Sequence, residues 1–555
     1  MAGFNLHNRP LLKHEKESYG YDGLDYFVHE DADSFELSSQ TPKNYPFRKI
    51  DDGIYLEGYT YNADARLIGQ QIQDLLNNRS HQKIAGLINT LDGEFAFLFF
   101  QNNEKVTLVN DRWGHLPIYL WKEERNFILS RNISFITKGV NLSYNRVSMG
   151  MMLLMSTTLE NDTLWTEVNR IPPHSICEIN LSSGKIEECS YYKFDQFEGD
   201  ISIKAIVPKL KKAVDKSMAD RLKDLHNPAL SLSGGLDSRL AAASICEISM
   251  DIPFITHKRP SGIDDPDCEA SKIISSRLGV KDNHTIVELD KDQYEDILHL
   301  TDIKQGLNSA SMGHVLPFHK YFSDRDWSCI SDYGGGGKFF RKLYPHTKIN
   351  TDSDLVNYIL KFHTLVHPKK ASEICGLESN VLVEKLRKQI ECYPFTKASD
   401  KYAYFMFREV LINWAYEADR QRNYSWVTVP FYSPDVVKLC FSVSQEAKKG
   451  GRLFNLLFDA YPGELGNIEN PNWRVSLNDE KAIDKLFKRQ GIKGKLPLTY
   501  ILHRKKGQFN EFPFRNELLE NKNRNSYFKL DELPGKANMN FYWQLLTLLI
   551  LTNED

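Results

Sequence analysis

No cysteine occurs in the first 176 residues of this 555-residue chain, and the eight that follow, at 177, 189, 246, 268, 329, 375, 392 and 440, include no CxxC pair. That spacing argues against a structural zinc site and against a disulfide framework, so the thiols read as reduced core residues of a cytoplasmic protein. Long hydrophobic runs are missing as well. The opening "MAGFNLHNRPLLKHEKESYGYDG" lacks the apolar core of a secretory signal, and "LLTLLILT" near the C-terminus falls short of the roughly 18–20 residues a bilayer span needs. It reads as a buried helix. Nor does charge of one sign prevail: a net charge of −3 gives no field that would gather polyanions, which argues against nucleic acid as the main partner.

What is present is an ordinary globular composition, 41% apolar and 26% charged, in a chain too long for one core. Short aromatic and β-branched stretches such as "IYLEGYTYN", "FAFLFFQ", "KVTLVNDR", "IYLWK" and "FILSRN" predict hairpins stacked into sheets. One amphipathic helix, "ADARLIGQQIQDLLNN", interrupts them. After the hairpin pattern "ICEINLSSGKIEECSYYKF" the character changes: "SIKAIVPKLKKAVDKSMADRL" is helical, and apolar runs then alternate with helices as a parallel α/β sheet requires. The expected fold is therefore α/β, with antiparallel sheets over residues 1–195 and a parallel α/β domain with a helical C-terminal part over 200–555.

Between the strand "ALSLS" and the Ala-rich helix "SRLAAASICEI" lies "SGGLDS", residues 233–238. A glycine-rich strand-to-helix turn presents unpaired amides at a helix N-terminus, where the dipole also favours negative charge, so it suits a phosphate. Asp237 fits such a site only if a divalent cation separates it from the phosphate. A helix cap alone would be the plainer account. The whole string, however, matches the signature loop of PP-loop ATP pyrophosphatases, and it lacks the lysine of a Walker A loop.

Along its length the chain resembles the asparagine synthetase family. In the first part the likeness rests on "GYTYN", "LDGEFAFLFF" and "DRWGHLPIYLW"; in the second, on "SLSGGLDS", "DCEASKIISSRLGVKDNH", "VPFYSPDVVKLCF" and "HRKKGQF". The resemblance implies an Ntn-type glutamine amidotransferase-like sandwich, followed by a synthetase domain that uses ATP and Mg2+ to adenylate a carboxylate. An amine then captures the acyl group. Ser233, Gly234, Gly235 and Ser238 would hold the pyrophosphate, with Gly334 also on the ATP side. Leu232, Thr256 and His257 would flank the adenosine, and Asp237 and Asp332 would be metal ligands.

Three departures carry information. Where glutamine-using members open Met-Cys-Gly, this chain has Ala2, and Glu57 stands where an oxyanion-stabilising Asn is usual. These imply a pseudo-glutaminase, although Glu57 alone could be a solvated strand residue. In "SDYGGGGKFF", residues 331–340, Tyr333 falls where β-lactam synthetases carry a base for an amine nucleophile, and Gly336 replaces a magnesium-binding Asp. Lys338 and Arg341 could then supply positive charge directly, or the loop is simply flexible. Glu409 and Glu417 are candidate partners of Tyr333. Lys449 and Arg452 are candidates for a transition-state cation, against the plainer reading of a solvated turn. His284 reads as structural, and "DDPD" at 264–267 reads as a helix N-terminal charge cluster.

The expectation is an ATP-dependent amide-forming ligase related in logic to β-lactam synthetases and lasso-peptide cyclases. It would act on a small-molecule or peptide carboxylate, with an amine from a source other than glutamine. A partner biosynthetic enzyme or a homodimer is admitted. The alternatives are an asparagine synthase using ammonia or glutamine, and a non-catalytic nucleotide-binding scaffold.

Overall fold

A computed structural model describes residues 2–8, 25–32, 35–102, 104–191, 197–258, 265–291, 293–331, 336–345, 347–483, 485, 506–530 and 533–553. The first part contains β1 (Gly3–His7), β2 (Asp25–Ala32), β3 (Phe35–Thr41), β4 (Phe47–Asp51), β5 (Ile54–Thr60), β6 (Gly93–Gln101), β7 (Lys105–Asn110), β8 (Tyr119–Glu123), β9 (Asn126–Ser130), β10 (Val168–Arg170), β11 (Ser175–Asn180) and β12 (Ile186–Ser190). They form two six-stranded sheets, ordered β10-β8-β9-β1-β3-β2 and β12-β11-β7-β6-β5-β4, with antiparallel pairing throughout.

The nearly continuous apolar run of β6, "GEFAFLFFQ", is explained by burial on both faces. Phe95, Phe97 and Phe99 point one way, into a cluster with Ile72 and Leu76 of α1 (Ala65–Asn77) and Ile84 and Ile88 of α2 (His81–Ile88). Ala96 and Leu98 point the other way, into the core that also contains Phe4 and Leu6 of β1. A strand whose two faces are both covered loses the polar alternation that would betray its period. The outer face of the first sheet is covered in part by α3 (Ile133–Gly139), whose Phe135 ring lies 5.7 Å from His7. The sequence reading missed α2, α3 and α4 (Arg146–Met155), the last because it is apolar nearly all round and shows no stripe.

After α5 (Ile203–Asp224) come β13 (Pro228–Ser231), β14 (Phe254–Lys258), β15 (His284–Glu288), β16 (Ser328–Ile330) and β17 (Val427–Thr428). All pair in parallel, in the order β15-β14-β13-β16-β17. The strand order runs outward in one direction from β13 and in the other from β16, so the crevice beyond their carboxyl ends is the topological switch point, where open α/β sheets bind ligands. The fold is thus α/β, an antiparallel two-sheet sandwich followed by a parallel sheet and a helical C-terminal part. The apolar C-terminal run forms the helix Met539–Thr552 and is buried; among the described residues no helix is long and apolar enough to cross a membrane. All eight cysteines are free, but Cys189 and Cys392 are exposed, so the expectation of core thiols fails for those two.

Candidate functional site

The turn that leaves β13 meets a second loop, residues 336–341, at the switch point. Ser233–Gly235 turn into α6 (Leu236–Cys246), which Gly235 caps without any side-chain hydrogen bond, leaving the first-turn amides as an anion-attracting end. The turn is held by its own side chains. Ser233 N–H donates to Ser238 Oγ at 3.1 Å, Gly235 N–H to Ser233 Oγ at 3.2 Å, and the two hydroxyls lie 2.8 Å apart. Gly234 N–H donates to Asp267 Oδ1 at 3.1 Å, a contact the sequence did not reveal because it joins residues from separate elements. Gly234 must be glycine for packing reasons, since a Cβ there would lie 2.5 Å from Pro471 Cγ and 2.7 Å from Ala270 Cβ. Buried Arg239 donates to the carbonyls of Gly234, Leu465 and Ile468 and so ties the turn to the later loop.

Asp237 faces the second loop. Its carboxylate stands where a side chain at 337 would go: a Cβ on Gly337 would lie 1.9 Å from Asp237 Oδ1. Arg341 Nη2 donates to both carboxylate oxygens, at 3.1 and 3.3 Å. Asp332, Tyr333 and Gly334 lie outside the described residues. The described residues do not assemble a metal centre here. Asp237 is engaged by a guanidinium, positions 336 and 337 carry no side chain, and among the described residues no group of three His, Cys, Asp or Glu could hold a metal.

Leu232 is buried beside the turn, its N–H bonded to Ile255 O, and its carbonyl accepts from Thr256 Oγ1 at 2.7 Å. Thr256 also meets His284 Nε2 at 2.8 Å, while His284 Nδ1 lies 3.0 Å from Ser275 Oγ. Burial, with Lys272 nearby, pushes His284 down and keeps it neutral in this bridging role. His257 lies on β14 with its ring 5.2 Å from Phe318. Asp265 caps α7 (Pro266–Arg277) through Cys268 N–H, in keeping with the reading of the acidic run as a helix start.

Lys449 and Arg452 are exposed, just before and at the start of the helix Arg452–Phe458. The buried cation in that region is Lys448. Its ammonium donates to Phe339 O and Cys440 O, and burial pushes its pKa down to about 8. Glu409 is fully buried, accepts from Glu160 N–H and Gln389, and is pushed up by that burial. Glu417 pairs with Lys304 and with Arg420 at 3.3 Å. Each of the two glutamates therefore has partners of its own.

In the first part, Ala2 is buried and Glu57 is fully buried, so the reading of Glu57 as a solvated strand residue is wrong. Its carboxylate accepts from Phe4 N–H at 3.2 Å, Tyr45 O–H at 2.7 Å and Arg131 Nε at 2.9 Å. Arg131 in turn makes a two-point bond to Asp419, at 3.0 and 3.1 Å, and Asp419 accepts from Arg422 Nη1 at 2.6 Å. Burial alone would push Arg131 down; Asp419 and then Glu57 outweigh it and hold the guanidinium charged. A second cluster joins the same two parts: Arg221 bonds Asp92 at 2.9 and 3.0 Å, and Glu94 accepts from Thr428 Oγ1 and Val429 N–H. Trp113 Nε1 donates to Tyr432 O at 2.7 Å. The strings "LDGEF" and "DRWGH" of the first part thus both meet "TVPFY", 319–335 positions further on, across one interface.

Residues 78–192, about a fifth of the chain, match a family model described as a glutamine amidotransferase domain. That stretch excludes both Ala2 and Glu57. A search of curated proteins finds no match. Among solved structures, the chain is similar to the glutamine phosphoribosylpyrophosphate amidotransferase from B. subtilis complexed with ADP and GMP, at 11% identity over 52% of this chain and 66% of that one, with a TM-score of 0.21. It is also similar to a protein described as the allosteric regulatory enzyme of purine biosynthesis, at 12% identity over 40% of this chain and 50% of that one, with a TM-score of 0.17. The chain spans less than two thirds of the length of either.

Proposed function

We propose, from the premise that residues 78–192 match a glutamine amidotransferase domain, that this protein is an ATP-dependent amide-forming ligase of the asparagine synthetase type whose own glutaminase site is inert. Its two domains would be residues 1–195 and 200–555. The carrying observation is the meeting of the turn after β13 with residues 336–341 at the switch point, with the Asp237 carboxylate against Gly337 and a helix end that has no side-chain cap beside it. ATP binds at this turn. The first-turn amides of α6, with Ser233, Gly234, Gly235 and Ser238, bind the pyrophosphate portion, and Leu232, Thr256 and His257 border the adenosine. The substrate carboxylate attacks the α-phosphorus, pyrophosphate leaves, and an amine displaces AMP from the acyl-adenylate. Tyr333 is the proposed base for that amine.

The amine is not made from glutamine in this reading. Position 2 offers no nucleophile, and a carboxylate at 57 opposes a developing oxyanion. The Glu57–Arg131–Asp419–Arg422 chain instead supports a docking role for the first domain. A scaffold that only binds nucleotide is the second reading, favoured by the internally bonded turn and the Asp237–Arg341 pair. ATP–pyrophosphate exchange across a panel of amino acids and peptides separates the two. Exchange stimulated by a substrate carboxylate supports the ligase, absence of exchange with every carboxylate overturns it, and nucleotide binding without exchange favours the scaffold.

A further inference from the structure

Arg341 follows the 3₁₀ segment Gly336–Phe340, and its backbone N–H donates to Lys338 O at 3.0 Å. Its guanidinium lies 5.4 Å from the centre of the Phe454 ring. The bond to Asp237 uses Nη2 alone, reaching both oxygens from one nitrogen. A full fork would use two nitrogens and is the stronger arrangement. Among the described residues Nε is buried with no hydrogen-bond partner. Both side chains remain about a quarter exposed, at 25% and 22%, so solvent screens the pair and it is cheap to open. Lys338, on the same short segment, lies 5.3 Å from the Trp414 ring and adds a second cation to this loop. Gly337 lets the arrangement exist, because any side chain there would displace the Asp237 carboxylate.

We propose that Arg341 is a phosphate-binding residue that exchanges Asp237 for the phosphates of a pyrophosphate-bearing ligand. The second loop then neutralises phosphate charge with a guanidinium where a carboxylate would have needed a metal ion. Asp237 acts as the resting counter-ion of Arg341 and competes with the ligand for it. The inference rests on reading the turn as a phosphate site; it does not depend on adenylation.

The test uses the full-length chain and inorganic pyrophosphate, titrated calorimetrically with EDTA and again with excess magnesium. The unaltered protein should bind pyrophosphate in EDTA. Arg341→Gln should weaken that binding roughly 10- to 100-fold, the worth of one charge-assisted contact, with Arg341→Lys in between. Asp237→Asn should bind more tightly in EDTA than the unaltered protein, an increase that misfolding cannot produce. Binding only with magnesium, an unchanged Arg341→Gln, or weaker binding by Asp237→Asn in EDTA overturns the proposal. Arg341-dependent binding without ATP–pyrophosphate exchange sinks the ligase reading and leaves this one standing. Exchange with Arg341 variants that bind pyrophosphate normally does the reverse.

Discussion

Glu57→Gln tests the buried ion chain most directly. The substitution keeps the side-chain volume and one acceptor oxygen but removes the charge that faces Arg131, where both side chains are fully buried. Removing one partner of a buried pair costs about 3–5 kcal/mol, because the survivor is left poorly compensated. Arg131 retains its two-point bond to Asp419, so the lower end, about 3 kcal/mol, is the expected figure. The chain has more than one part and need not unfold in a single step, so a local readout is preferable to a melting temperature. The amide of Phe4 donates to Glu57, and Gly3–His7 are buried in the centre of their sheet. Hydrogen–deuterium exchange of the peptide covering residues 2–8 should therefore accelerate roughly 100-fold in Glu57→Gln. Pairing the change with Arg131→Gln should recover part of the loss, with a coupling of at least about 1 kcal/mol. Unchanged exchange in the single variant, or strict additivity of the two, would refute the view that Glu57 anchors this chain of charges.

Two further outcomes follow from buried groups. Lys448 has a pKa of about 8 in the folded protein against 10.5 for an ordinary lysine. Between those values the unfolded chain holds the extra proton, so its contribution to stability should rise with pH at up to ~1.4 kcal/mol per unit from about pH 8 to 10. Urea denaturation across that range should show the rise flattened in Lys448→Met; identical pH slopes would sink the assignment. Ala2→Cys, assayed for glutamate release from glutamine, should stay silent, because restoring a thiol leaves the Glu57 carboxylate in place, tied to Arg131. Release at a rate above that of the unaltered protein would show that Glu57 does not block the site.

Much of the fold was legible because it is local. The aromatic stretches at 54–60 and 93–101 became β5 and β6, the stripe at 65–77 became α1, and "SGGLDS" turned from a strand into a helix. What escaped did so for physical reasons. A helix such as Arg146–Met155 that is buried on every side has no periodic signature, and at 448–449 two adjacent lysines look alike until packing buries one and leaves the other in water. Glu57 illustrates the limit best, since a carboxylate in a strand is ordinarily solvated and only a guanidinium delivered from elsewhere makes its burial tolerable.

By itself the sequence determined strands such as β5 and β6, the helix α1, the glycine turn at 233–238, and an alanine without a nucleophile at position 2, because backbone sterics, side-chain periodicity and residue identity act within a few residues of one another. The tertiary structure alone decided that Asp237 meets an arginine 104 positions away, and that Arg131 joins Glu57 to Asp419 across 74 and 288 positions. Charge pairing at such separations depends on which surfaces the packed core brings together, and no local pattern encodes that.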